Sequence, residues 1–368
     1  GKYTHVWKKS TNRYKKQLKV RVVLLLKEID VINNEENQFY GDKDIEEFGK
    51  DSEITSKDIQ DVAERLNKRL EVTKNKKKAI RLKSRYKKLL KESEKLEKYE
   101  KQEKLLGVRN SYSKTDTDAT FMRMKDNLLR PAYSLQLSTE NQFITNYSIS
   151  QNGSDGASFK AHLEKILMRG EKRPKNMIGD CAYGTEENYD LLEQHNIGKY
   201  IKFATFHYEQ KKRAKENQFH RDNLVYNKND DHFVCPAGRK LKFLKTEQRE
   251  TRTGYQTKLR IYECEDCRDC PLKSQCTKAK GNRRLQFQPK LEKYKDEARK
   301  NLNSEKGIAL RKRRAPEVEI PFGDIKQNHK FKKYHLRGRK KVELETGYLS
   351  RAYNLRKIHN MQNKKKAA

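Results

Sequence analysis

From Trp7 to about Asn33, apolar Leu18, Val22, Leu25, Leu26 and Ile29 recur at spacings of three and four, the period of a helix with one buried face. A polar, acidic linker is expected from roughly 34 to 56. From Ser56 to about Leu106, Ile59, Val62 and Leu66, then Leu82, Tyr86, Leu89 and Leu96, fall at near-heptad spacing and predict a helical arm or hairpin. After Asn110 the period changes. "AYSLQLST" and "FITNYSIS" alternate apolar and polar side chains around a turn at "ENQ", which predicts a β-hairpin from Ala132 to Ser150. "SFKAHLEKILMRG" then places Phe159, Leu163, Ile166 and Leu167 on one helical face with Gly170 as its stop, and "NMIGDCA" reads as a short buried strand around Asp180. "TEENYDLLEQHNIG" reads as a helix capped by Thr185, with Glu186 and Glu187 in its first turn, ending at Gly198 before the strand "KYIKFA". Hairpin, helix, strand, helix, strand is an α/β core. Four segments follow: a helical, coiled-coil arm (1–109), the first part of the core (110–204), a cysteine-rich insertion (205–288) and a basic, mostly helical C-terminal part (289–368).

Charge sharpens this picture. The 368 residues carry 86 Lys+Arg against 51 Asp+Glu, a formal charge of +35. Nucleic acid is the leading partner for such an excess, because neutralising phosphates releases counterions without any base contact. An anionic membrane surface ranks below it: no apolar run approaches the ~18 residues of a spanning helix, and no signal peptide opens the chain. A cytoplasmic, nucleoid-associated protein is expected. The lysine density of "KNKKK" and "RYKKLLKE" fits a solvated helix face as well as direct DNA contact. With 33% hydrophobic and 37% charged residues, parts of unequal compactness are expected.

Three constellations could carry chemistry. Asp180 in "MIGDCAYG" sits where a strand gives way to a loop, a rigid place from which to present a carboxylate, although acids at strand ends also merely cap turns. In "RRAPEVEIPFGDIKQNHKFKKYHLRG", Glu317 and Glu319 are surrounded by cations, with Lys326, Lys330, Lys332 and Arg337 as candidate phosphate contacts. Were the segment helical from about Pro316, Glu319 and Lys326 would share a face two turns apart and Glu317 would point elsewhere. Pro321 argues against an undisturbed helix. The third constellation is cysteine-rich: Cys235, Cys264, Cys267, Cys270 and Cys276. Paired thiols two residues apart suit a structural zinc ion, and Cys235, Cys267, Cys270 and Cys276 are the favoured ligands with Cys264 as substitute; reduced thiols without metal are the alternative.

At these places the sequence resembles the insertion-sequence DDE transposases, in the branch with a cysteine-bearing insertion between the second acid and the final Glu. The segments that carry the resemblance are "KYTHVWKKS", "NSYSKTDTDATFMRMK", "RPAYSLQLSTENQFI", "GDCAYGTEENY", "CPLKSQCTKAKGNR" and "EVEIPFGDIKQNHKFKKYHLRG" with "YNLRK" beyond it. The resemblance implies an RNase-H-like mixed sheet with flanking helices, a zinc-ribbon-like insertion, and two Asp and one Glu holding two Mg²⁺ ions about 4 Å apart. Asp180 would be the second Asp and Glu319 the Glu. It also implies DNA as substrate, double-stranded at terminal inverted repeats and target, hydrolysis followed by strand transfer, and a homodimer on DNA. In relatives the first Asp lies in a "DGTK"-like strand upstream of "KYTHVWKKS", so the chain is expected to be N-terminally truncated, with Asp116 and Asp118 as the alternatives within it. Ala132, Ser134, Cys181 and Ala182 depart from the residues usual in relatives. A catalytically inactive transposase fragment acting as a zinc-containing DNA-binding protein is the competing expectation, and a metal-dependent nuclease of the same fold a third.

Overall fold

A computed structural model describes residues 5–40, 54–72, 76–169 and 173–367. The chain forms two compact units, Gly1–Ala132 and Tyr133–Ala368. The division falls inside the expected 110–204 segment, so the two units do not map one to one onto the four segments.

The first unit contains β1 (His5–Trp7), α1 (Lys8–Tyr40), α2 (Ser56–Val72), α3 (Lys76–Leu106), β2 (Ser111–Ser113), β3 (Thr120–Arg123) and β4 (Leu129–Ala132). The predicted apolar stripes are its core: Leu18, Val22 and Ile29 of α1, Ile59, Val62 and Leu66 of α2, and Leu82, Leu89 and Leu96 of α3 bury together. Each such side chain contributes about 1.5–3 kcal/mol on burial. Polar contacts fix the seam. Lys15 pairs with Glu103 at 2.6 Å, Arg21 with Glu92 at 3.1 Å, and the Ser56 hydroxyl donates to Glu100 at 2.6 Å. α1 runs on to Tyr40 rather than ending near Asn33, because "NEENQFY" contains neither Gly nor Pro to stop it. The rest of the expected linker, 41–53, and the Gly170 stop lie outside the described residues.

The second unit opens with the predicted hairpin, β5 (Ser134–Glu140) and β6 (Phe143–Ser150), paired antiparallel. Its turn residues Asn141 and Gln142 have φ of 52° and 64°, the left-handed pair that a tight two-residue hairpin turn requires. α4 (Asp155–Met168), β7 (Asn176–Gly184), α5 (Glu186–Gln194) and β8 (Gly198–Phe203) follow in the predicted order. The Thr185 side chain accepts from the Asn188 N–H, as a cap should. β7 pairs in parallel with β8 alone, and β5–β6 forms a separate ladder. Side chains rather than backbone join them, the Tyr183 hydroxyl donating to Gln136 of β5. With one backbone partner, β7 is not the buried strand expected: it is half-buried up to Gly179 and exposed from Asp180 to Ala182.

Beyond β8 come α6 (Phe206–Glu209), α7 (Lys212–Glu216), β9 (Val225–Asn227), β10 (His232–Val234), β11 (Lys240–Glu250), β12 (Gln256–Cys264), α8 (Lys273–Cys276) and β13 (Arg284–Phe287). They build an antiparallel sheet in the order β13-β12-β11-β10-β9. The far end of the β11–β12 ribbon docks on α5, where Thr257 donates to Glu186 at 2.9 Å, Tyr255 to Asp190 at 3.2 Å, and Thr253 to Glu187. α9 (Pro289–Asn303) covers the core, packing Tyr294, Ala298 and Leu302 against Phe159, Tyr189, Ile201 and Phe203. α10 (Glu305–Gly323), a π-helical segment Asp324–Asn328 and α11 (Arg339–Ala367) complete a mixed α/β unit. Among the described residues no helix is long and apolar enough to cross a membrane.

Candidate functional site

Asp180 stands where β7 leaves its ladder. Pairing with β8 holds Asn176 to Gly179 and resumes only at Gly184, so the carboxylate is carried out of the sheet. Its Oδ1 accepts the Cys181 N–H at 2.8 Å, and its Oδ2 lies 3.8 Å from Nη2 of Arg314 on α10. Beneath it runs a polar chain. Tyr183 donates to Gln136, whose amide donates to Asp155 at 3.1 Å and to Ser134 at 2.9 Å. Burial, reinforced by the carboxylates of Asp155 and Asp180, pushes the Tyr183 phenol far above its ordinary pKa, so it remains a donor. Gly156 allows α4 to approach this strand end, since a Cβ there would lie 2.6 Å from the Ala182 carbonyl oxygen. Gln136, Asp155, Tyr183 and Arg314 escaped the sequence reading. Asp155 follows Ser154 at a helix start, where an acid reads as a dipole partner, and nothing local marks the other three.

The segment around the two glutamates is helical, but from Glu305 rather than Pro316, and it continues through both Pro316 and Pro321. Glu317 is drawn to the hairpin turn, accepting the Gln142 N–H at 2.6 Å and pairing with Arg313 at 2.7 Å. Glu319 is exposed, and among the described residues it has no ion pair or hydrogen bond. At 3.6 residues per turn it points about 140° around α10 from Arg314. The structure therefore brings Arg314, not Glu319, to Asp180. The disturbance expected from Pro321 appears just after it, as the π-helical Asp324–Asn328. A π segment closes its hydrogen bonds over a wider turn, so Lys326 does not sit squarely two α-turns above Glu319. Lys326 packs its ammonium 4.9 Å from the centre of the Phe322 ring.

Lys326, Lys330, Lys332 and Arg337 are all exposed on the stretch between α10 and α11. That stretch is anchored from within: Phe331 packs edge-on to Tyr334, and Glu345 accepts the N–H groups of His335 and Leu336 at 3.0 Å each. Burial opposes the charge on Glu345, but those backbone donors and His335 outweigh it and hold its carboxyl below the ordinary range. Asp116 and Asp118 belong to the first unit. There Asp116 accepts the Asp118 N–H at 3.2 Å, and Arg109 donates to the carbonyls of Thr117 and Asp118 at 2.8 and 3.0 Å, which makes a stapled turn.

All five clustered thiols, Cys235, Cys264, Cys267, Cys270 and Cys276, line one cavity of about 20 Å³. Cys235 sits on a tight turn closed by Gly238 at φ +74°, a conformation glycine adopts without strain. The Cys267 sulfur accepts the Arg283 N–H at 3.4 Å, and the Arg283 guanidinium donates to the Cys276 sulfur at 3.0 Å. Cys264 is not set apart as a spare: it buries with Cys235 and Cys267. Burial first, then the neighbouring Cys267 and Cys235, push its thiol up to about 12. Cys181, the sixth cysteine, is exposed on β7. Among the described residues, no three or more His, Cys, Asp or Glu side chains are drawn together closely enough to hold a metal ion.

Against this geometry, a family model described as Transposase DDE domain matches residues 234–359. Over that stretch the chain is similar to DDE-transposase domains. The transposase match takes in the cysteine cavity, both glutamates and the exposed cations from Lys326 to Arg337, while Asp180 precedes it. DNA is the partner that such a family implies, and divalent metal its general requirement. Comparisons with curated proteins and with solved structures returned no match.

Proposed function

We propose that this chain acts on double-stranded DNA as a DDE transposase of a bacterial insertion sequence, cutting phosphodiester bonds at element ends and joining them to target DNA. The match over residues 234–359 carries this reading. The charge of +35 supports it, because a strand-joining enzyme must hold several DNA segments at once. In this reading the second unit is an RNase-H-like core with a zinc-ribbon-like insertion, and two chains act together on paired ends. Asp180 and Glu319 are the proposed carboxylate ligands of two Mg²⁺ ions, which when bound supply charge neutralisation to the attacking and leaving oxygens. Two carboxylates are an incomplete ligand set for such a pair. Lys326, Lys330, Lys332 and Arg337 are proposed phosphate contacts.

The insertion is proposed to hold one structural Zn²⁺ through four of its five thiols. Their donor chemistry suits the ion: five sulfurs share one cavity, and Arg283 donates N–H groups to those of Cys267 and Cys276.

That Arg314 rather than Glu319 stands at Asp180 favours a second reading, a zinc-containing DNA-binding protein that does not cut. One experiment separates the two. Cleavage of a duplex carrying the element's ends is measured with Mg²⁺ for the wild type, Asp180→Asn and Glu319→Gln, alongside binding of the same duplex. Transposase action requires wild-type cleavage that each variant loses by several hundred-fold or more with binding intact; binding without cleavage by any of the three leaves the second reading standing.

A further inference from the structure

We infer that Arg311 and Arg314, one turn apart on α10, form with His207 a receptor for a backbone phosphate of DNA directly beside Asp180. The inference rests on the DNA reading above and gives it a subsite that none of the exposed cations between α10 and α11 supplies. Arg314 reaches Asp180 at 3.8 Å, longer than the ~2.7–2.9 Å of a charge-assisted hydrogen bond, so most of its five donors are not committed to that carboxylate. Arg311 has no carboxylate partner among the described residues, and its Nε is buried without a hydrogen bond. Its guanidinium lies 5.4 Å from the centre of the Phe206 ring, and the His207 ring lies 5.6 Å from the same centre. One aromatic side chain thus holds two nitrogen-bearing groups in place.

Charge explains why an anion belongs there. Arg311 and Asp180 both act on His207: burial, then Lys202 and Arg311, lower its pKa, while Asp180 opposes them. At His207, Lys202, Arg311 and Lys211 therefore outweigh Asp180. A phosphodiester approaching Asp180 alone would meet like charge; two planar forks on one helix face convert that repulsion into attraction and match phosphate oxygens in pairs. The ring support matters as well, because a stacked guanidinium loses less freedom on binding than a lysine ammonium.

The test measures binding of the full chain to a labelled DNA duplex across a salt series, for wild type, Arg311→Ala, Arg311→Lys, Arg314→Gln and, as a control of equal charge loss, Lys312→Ala on an exposed position of the same helix. A lost charged contact should weaken binding about tenfold. Arg311→Ala should also reduce the salt slope by about one unit. Arg311→Lys should fail to restore affinity. If Arg311→Ala disturbs folding, as its melting would reveal, Arg314→Gln at a mostly solvent-shielded but partly accessible site decides the matter. Loss no greater than that of Lys312→Ala in both positions overturns the subsite and leaves the DNA reading intact. Failure of the wild type to bind duplex at all overturns that reading and the subsite together.

Discussion

His162 shows how a single buried side chain couples the fold to pH. Its ring is held between the hydroxyls of Ser138 and Ser148, at 2.7 Å and 2.8 Å, across the two strands of the hairpin. Burial, then the charge of Lys165, lowers its pKa to about 4. Because that lies below the ordinary histidine value near 6.5, the unfolded chain takes up a proton that the folded chain refuses between these limits. Stability is therefore fully present above about pH 6.5 and is lost as pH falls toward 4, by at most roughly 3 kcal/mol. Urea unfolding at pH 7 and pH 5 should show this loss, and His162→Gln should flatten it; an unchanged slope in the variant would discard the histidine as its source. Nothing in "FKAHLEK" marked this residue, since both hydroxyls come from strands distant in sequence, whereas the Thr185 cap was legible from its own neighbours. The clustering of the cysteines was legible in the same local way, but the place of Cys264 was not, because the cavity is closed by Cys235 on the turn after β10. If the cavity holds zinc, Cys267→Ser should lower both the bound zinc of the purified protein and its melting temperature, and a chelator should do the same to the wild type. Equal metal content in the two proteins would dispose of the zinc.

At the scale of elements, the hairpin turn and α10 share one contact. Asn141 and Gln142 both occupy left-handed backbone, which costs a residue with a Cβ about 1 kcal/mol relative to glycine. Gln142→Gly should relieve that strain while keeping the N–H that Glu317 accepts, and should lose only the part-buried side-chain contact with Lys357. A gain of about 0.5–1 kcal/mol in chemical denaturation is expected; destabilisation would show that the side-chain contact outweighs the backbone term. The hairpin itself was legible because alternation fixes both faces and "ENQ" fixes the turn. α10 was legible only in part. A proline inside a helix costs about 3 kcal/mol, so two of them argue against one continuous helix. Burial of Pro321 and Ile325 and the tie from Glu317 to the hairpin offset that cost, and they depend on contacts across more than half of the second unit. The same gap between local and distant information hid Arg314: its approach to Asp180 depends on how α10 lies on β7, which periodicity along α10 does not encode.

For the molecule as a whole, the proposed binding to DNA carries a salt dependence set by the excess of cations. If six or more phosphates are neutralised, affinity for duplex DNA should fall about a thousand-fold or more between 50 and 200 mM monovalent salt, along a straight double-logarithmic line. A flat dependence would mean that the charge is spent within the protein or on another partner. The second unit also has a mechanical character that follows from the β11–β12 ribbon. The cysteine-bearing sheet is joined to the core by the chain on either side, and the Arg221 guanidinium binds Glu292 of α9 at 2.5 Å near that base. The ribbon's far end is fastened separately, through Thr253, Tyr255 and Thr257, to α5. Pinned at its base and again at the far end of the ribbon, the sheet cannot swing about its base and keeps only a twist about the line joining the two attachments. Any load placed on the sheet is accordingly shared with α5 and the parallel strand pair that flanks it, the strut on which Asp180 is mounted.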